Sequence, residues 1–135
     1  TYHPVCSPGF LEGQLGGEVT PANLGKATVV DFDRKDQTQN RFFREFTGKP
    51  LRAPRHYIPT TADYARAILL GLGWGLLPDR QCLEEIKRGD LVEFAPDQAI
   101  EMPLYWQRWT LESPLLEVLT EAVKGVAARE MHPRD

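Results

Sequence analysis

Apolar and polar positions along this chain fall into short compact runs and longer helical stripes, separated by glycine and proline. Tyr2 to Ser7 reads as a short strand that ends at the Pro8-Gly9 turn. Thr20-Pro21 offers an N-cap and a proline at the first helical position for a short helix to Leu24 or Gly25. Ala27 to Asp33 is compact and β-branched, a strand, and Asp36 to Thr47 carries Phe42, Phe43 and Phe46 at helical spacing before a stop at Gly48. Arg55 to Pro59 is the next strand, and Thr60 to Gly71 sets Tyr64, Ala65, Ile68, Leu69 and Leu72 on one side of a helix. Gly73 to Leu77 reads as a buried strand, Pro78 to Arg88 as a helix closed at Gly89, and Leu91 to Ala95 as a further strand. Beyond Pro103, the run Leu104 to Trp109 is aromatic and strand-like. Ser113-Pro114 then caps a helix with the apolar stripe Leu115, Val118, Leu119, Ala122, Val123 and Val126.

Strands that alternate with helices predict an α/β fold with a mostly parallel sheet flanked by helices, because right-handed crossovers return the chain to the same sheet edge. Ligands in such sheets sit beyond the carboxyl ends of the strands. Two loops therefore matter most, Asp33 to Asp36 and Pro59 to Asp63.

Length and charge narrow the picture. The 135 residues suffice for one ordinary core, and a net charge of −3 lacks the basic excess of a nucleic-acid surface. No apolar run approaches the length of a membrane span, and Cys6 and Cys82 are too few for a disulfide scaffold and lack metal spacing. A reducing cytoplasm is the expected setting. The start at Thr1, with no charged segment leading into an apolar stretch, predicts a fragment rather than a secreted chain.

Candidate chemistry clusters at the two loops, and each feature has a plainer reading beside it. Asp31, Asp33 and Asp36 could hold the ammonium or guanidinium of a ligand, yet Asp36 with Gln39 has capping-box spacing and acidic residues suit a first helical turn. A period of two puts Asp31 and Asp33 on one side of their strand, so at least one should face solvent or a cleft. Thr60 and Asp63 also have capping-box spacing, while the free amides of that turn and the Thr61 hydroxyl could receive a carboxylate. Gly71-Leu72-Gly73-Trp74-Gly75 follows a helix and precedes a strand, the reverse of a dinucleotide fingerprint. It reads as a helix C-cap followed by glycines that let backbone or the Trp74 ring approach closely.

The stretch from Arg34 to His56 sets Arg34, Lys35, Arg41, Arg44, Lys49, Arg52 and Arg55 against only Asp36 and Glu45. Such a run suits a solvated helix face, or charge matching between subunits with the acidic stretch from Asp79 to Glu101. His3, His56 and His132 form no metal-spaced set, no nucleophile or phosphate-loop signature is present, and the cysteines read as small packing residues. Tyr105, Trp106 and Trp109 read first as core, with lining of a ligand cleft as the alternative.

The segment Ala67 to Pro78 (AILLGLGWGLLP), followed by Gly89-Asp90-Leu91-Val92, resembles the helix, glycine turn, strand and proline of the effector domains of LysR-type transcriptional regulators. Val29 to Asp36 (VVDFDRKD), His56 to Thr61 (HYIPTT) and Pro103 to Trp109 (PLYWQRW) sharpen the resemblance toward the ArgP/LysG branch, in the same order and over nearly the whole chain. The resemblance implies a cytoplasmic, non-catalytic regulator without cofactor, whose periplasmic-binding-protein-like type 2 effector domain has two α/β lobes around a cleft. By that analogy residues 1–8 are the first crossover strand, 9–101 the second lobe, and 102–135 the returning strand and C-terminal helix of the first lobe. The family's N-terminal winged helix-turn-helix, which would make the DNA contacts, has no counterpart here. The implied effector is a basic amino acid, lysine or arginine and possibly histidine, near Phe32, Asp33, Arg34, Asp36, Thr60, Thr61 and Trp106. Self-association is implied through the helix Thr61 to Gly71 and through the C-terminal helix.

Overall fold

In the computed structural model, which describes residues 1–110 and 112–131, five strands form the frame. They are β1 (Tyr2–Cys6), β2 (Val29–Asp31), β3 (Arg55–Tyr57), β4 (Gly75–Pro78) and β5 (Val92–Glu93). β2 and β3 pair in parallel, Val29 opposite Arg55. A parallel bridge between Val29 and Trp74 sets β4 on the other side of β2, with the Val30 amide donating to the Trp74 carbonyl at 2.9 Å. β1 then runs antiparallel to both β4 and β5, so the spatial order is β3-β2-β4-β1-β5. The α/β expectation holds, and the parallel expectation holds around β2. β1 departs from it because no βαβ crossover joins it to either neighbour: long stretches of chain intervene, which leaves its direction free.

Alternation explains why both faces of this sheet are covered. Cys6, Val29, Trp74 and Leu76 pack on one face with Phe10 of α1 (Pro8–Gln14), Leu24 of α2 (Pro21–Leu24), and Phe42 and Phe43 of α3 (Thr38–Thr47). Their neighbours Val5, Val30 and Leu77 pack on the other with Tyr64, Ala67 and Ile68 of α4 (Thr61–Leu69) and Cys82 of α5 (Asp79–Arg88). The predicted stops at Gly48 and Gly89 are real: both adopt left-handed φ, 72° and 83°. At Thr20 the hydroxyl accepts from the Asn23 backbone amide at 3.2 Å while Asn23 Oδ1 accepts from the Thr20 backbone amide at 2.8 Å, a capping box.

One helix escapes the sequence pattern. The Pro8-Gly9 turn is the first turn of α1, with the Ser7 hydroxyl accepting from the Phe10 amide at 3.1 Å and Pro8 at the first helical position. Gly9 and Gly13 lower its intrinsic helicity, and burial of Phe10 supplies what propensity lacks. The glycine reading at Gly73 and Gly75 is confirmed. A Cβ at Gly73 would lie 2.7 Å from the Thr28 carbonyl oxygen, and one at Gly75 would lie 2.7 Å from Tyr64 Oη.

β1 also carries a charge clasp. His3 Nδ1 lies 2.7 Å from Glu93 Oε1 on β5, and Nε2 lies 2.7 Å from Asp79 Oδ1 at the start of α5. Both ring nitrogens face carboxylates, which suits the doubly protonated ring. Burial depresses the His3 pKa, but the hydrogen bonds to Asp79 and Glu93 outweigh it and hold the value above the usual 6.5. A base raised in the folded state contributes stability that is complete below its unfolded pKa and is lost as pH climbs through the folded one. Urea midpoints measured over a pH series should therefore fall as pH rises above about 6.5, and His3→Gln should flatten that slope. An unchanged slope in the variant would assign the pH dependence to other groups.

The chain divides into two compact units, Thr1–Pro103 and Leu104–Asp135. The second holds α6 (Pro114–Glu130), begun at Ser113 as expected, with Leu115, Val118, Leu119 and Val126 exposed. Leu104 to Trp109 forms no strand, and Tyr105 and Trp109, expected in a core, are 70% and 86% exposed. A strand exists only against a partner, and among the described residues this segment has none. His132 lies outside the described residues. No helix among those described is long and apolar enough to cross a membrane.

Candidate functional site

The loop that leaves β2 is organised by its own carboxylates. Asp33 Oδ1 accepts from the amides of Lys35 at 2.7 Å and Asp36 at 3.0 Å, while Asp36 Oδ2 accepts from the Phe32 amide at 3.0 Å. Asp36 Oδ1 takes the Thr38 amide at 2.9 Å, so Asp36 supports the entry into α3 from one residue ahead of the N-cap. The capping box with Gln39 does not form, because the N-cap of α3 is Gln37 and the Gln39 side chain turns inward. Its Nε2 donates to the Val30 carbonyl at 3.2 Å and to Tyr64 Oη, whose proton goes to the Leu76 carbonyl at 3.3 Å. Gln39 is 1% exposed, and its Oε1 has no hydrogen-bond partner among the described residues. Burial drives the Tyr64 pKa far above the ordinary phenol value, so Tyr64 remains a donor.

These groups wall a cavity of about 470 Å³. Phe32, Asp33, Lys35 and Asp36 enter from the loop, Thr38 and Gln39 from α3, and Thr61 and Tyr64 from α4. Tyr2, Leu76, Pro78, Gln81 and Met102 complete the lining. The size suits a small molecule, and two carboxylates against one lysine make the wall acidic.

Four of the seven predicted residues, Phe32, Asp33, Asp36 and Thr61, meet in this cavity. Thr60 is the N-cap of α4, but its hydroxyl donates to Asp63 Oδ2 at 2.6 Å instead of accepting from a helix amide. The first turn of α4 thus starts without a side-chain cap. Arg34 lies over the Tyr57 ring, 5.0 Å from its centroid, and lines a second cavity. Trp106 belongs to the second unit, where its indole donates to Thr120 Oγ1 at 3.3 Å. Asp31 stays inside the core face and binds Arg55, so of the two aspartates on that side of β2 it is Asp33 that reaches the cavity.

Gln39 and Tyr64 had no chemical role in the sequence reading. A usable signal existed for Gln39: it precedes Phe42, Phe43 and Phe46 by three, four and seven positions, a polar residue on the buried stripe of α3. Cys6 and Cys82 are buried and free, with burial pushing both thiols up to about 12, as packing residues require.

A sheet clothed by helices on both faces, with a ligand-sized cavity past the ends of β2 and β4, defines a lobe of the periplasmic-binding-protein-like type 2 class. The family model for the LysR substrate binding domain matches residues 1–128, and the chain belongs to that family. It is 37% identical over 120 residues to the HTH-type transcriptional regulator ArgP of Pseudomonas aeruginosa, an alignment covering 89% of this chain and 40% of that protein. The C-terminal domains of a LysR family protein from Agrobacterium tumefaciens superpose with a TM-score of 0.92 at 35% identity, covering 98% of this chain and 64% of that one. Full-length LysG from Corynebacterium glutamicum with bound effector Arg gives a TM-score of 0.79 at 30% identity, covering 98% and 45% respectively. The resemblance to the ArgP/LysG branch is thereby established, and the relatives are transcriptional regulators rather than enzymes. The chain spans less than half the length of the curated relatives it matches.

Proposed function

We propose that this chain is the effector-sensing part of a cytoplasmic LysR-type regulator and that its cavity receives a basic amino acid, arginine or lysine, with histidine the smaller alternative. The observation that carries this reading is the meeting of Asp33, Asp36 and Thr61 in one cavity of about 470 Å³. A basic amino acid needs anionic acceptors for its side chain and donors for its carboxylate. Asp33 and Asp36 supply the first; the Thr61 hydroxyl and the uncapped amides of α4 supply the second. LysG from Corynebacterium glutamicum, solved with Arg bound as effector, supports the same ligand class.

In this reading residues 1–8 are a crossover, 9–101 one lobe, and 102–135 the return into a second lobe, with Phe32 and Thr60 bordering the site. Closure on the ligand would change DNA contacts made by an N-terminal domain and so activate genes such as an amino-acid exporter. Self-association is the second reading. It is favoured by Leu70 at the end of α4, 66% exposed, and by the apolar stripe of α6.

Calorimetric titration of the full-length regulator tests the ligand. Arginine or lysine should bind, and leucine and glutamate should not. Asp33→Asn with Asp36→Asn should weaken arginine about 10- to 100-fold, the scale of losing charge-assisted hydrogen bonds. Equal heats for all four amino acids, or unchanged arginine affinity in the double variant, would overturn the assignment.

A further inference from the structure

The loop from Phe32 to Asp36 borders two cavities of opposite charge. Phe32, Asp33 and Lys35 line the first, Arg34 lines the second, and Asp36 lines both. The second, about 380 Å³, lies between α3 and the edge strand β3. Asn40 and Arg44 stand one turn apart on the helix, and Arg55 and Tyr57 share one side of the strand.

Three guanidiniums, Arg34, Arg44 and Arg55, stand against two carboxylates, Asp31 and Asp36, so the lining carries one net positive charge. Asp31 Oδ2 holds one arm of Arg55, whose other arm donates to Asn40 Oδ1, and both oxygens of Asp36 take backbone amides. That leaves Arg34 and Arg44 with no carboxylate partner among the described residues, Arg34 being packed on the Tyr57 ring. The contrast on α3 itself is informative: Arg41, which does not line the cavity, pairs with Glu45 at 2.9 Å. Arg34 and Arg44 are therefore the two guanidiniums without a carboxylate partner that line the cavity; Arg52, in the same basic stretch, lies outside it.

We propose that this groove is a second ligand site, one for a small oxyanion, carboxylate or phosphate. The planar guanidiniums of Arg34 and Arg44 would grip the anion, while Arg55, locked by Asp31 and Asn40, keeps the floor of the groove rigid. Phosphates and carboxylates share the donor geometry that such groups recognise, and the volume fits either. Arg34 and Arg44 line this groove and not the first cavity, so this proposal does not rest on the basic amino acid reading.

Calorimetry on the full-length protein at constant ionic strength, with inorganic phosphate and with succinate as probes, tests the groove. Saturable binding of either probe above a chloride control is expected. Arg34→Gln and Arg44→Gln should each weaken it about tenfold, while Arg41→Gln, the same charge loss on the same helix, should leave it unchanged. Both groove arginines are exposed, so thermal melts of these variants should match the parent. Competition between phosphate and succinate would mark one shared site, and binding of one alone would name the source. Heat no greater than chloride, or equal weakening by Arg41→Gln, would reduce the groove to general surface charge and overturn the proposal. Loss of self-association in Arg44→Gln with no probe heat would assign the groove to an acidic protein partner and overturn it equally.

Discussion

Arg55→Ala is expected to lower unfolding stability by about 3–5 kcal/mol, the scale for removing one partner of a buried ion pair. Asp31 is 1% exposed, and its Oδ2 is held by Arg55 while Oδ1 has no hydrogen-bond partner among the described residues. Burial already raises the Asp31 pKa above the ordinary carboxylate value, with Arg55 pulling the other way. Without Arg55 the raising influence stands alone. A carboxyl raised in the folded state favours folding as pH falls, so the deficit of Arg55→Ala should shrink toward acid pH. Urea denaturation of parent and variant over a pH series measures both the size and the trend. Charge and packing are separated by the double variant Asp31→Leu with Arg55→Met, which should recover most of the loss because no buried charge remains. A double variant as unstable as Arg55→Ala would show that the pair acts through shape instead.

The legible parts of this fold are those where local pattern and tertiary environment agree. Val29-Val30 reads as a strand because both neighbours are needed, one for each helical layer. α3 buries the Phe42 and Phe43 of its stripe, and α4 buries Tyr64 and Ile68 of its own together with Ala67, while Leu72 lies beyond the helix and is exposed. Where the two disagree, the sequence misleads. α1 has weak propensity and exists because Phe10 is covered, while Leu104 to Trp109 has strong strand propensity and pairs with no strand among the described residues. The direction of β1 depends on contacts with residues some seventy or more positions away, which no window of sequence contains.

The candidate site divides in the same manner. Asp33, Asp36 and Thr61 were visible because strand-end loops collect ligands in α/β sheets, whatever the chain between them does. Gln39 and Tyr64 were absorbed by commoner explanations, a capping box and a core stripe. Only the packed structure shows that Gln39 turns into the core face and takes Tyr64 as its partner. Arg34 sits between two cavity residues in sequence yet borders the neighbouring cavity, because a tight loop aims successive side chains apart.

Trp74→Ala should be comparably severe, about 3–5 kcal/mol, as for other large buried aromatics. The indole is fully buried, edge-on to Phe42 at 5.8 Å and to Phe94 at 5.9 Å, on the strand that bridges β2. Backbone contact at Gly73 hinders collapse around the void, since the Thr28 carbonyl already lies where any side chain would go. The polar end of the ring behaves differently: Nε1 is buried with no acceptor among the described residues, so it adds desolvation cost and no hydrogen bond. Trp74→Phe removes that orphan donor while keeping an aromatic edge for Phe42 and Phe94, and should cost only about 1 kcal/mol. Thermal unfolding of the two variants checks the distinction, and a Phe variant as damaged as the Ala variant would show that the indole N–H is satisfied after all. β4 carries Leu76 and Pro78 from Trp74 into the wall of the first cavity. Ligand affinity should therefore fall with stability in Trp74→Ala and persist in Trp74→Phe.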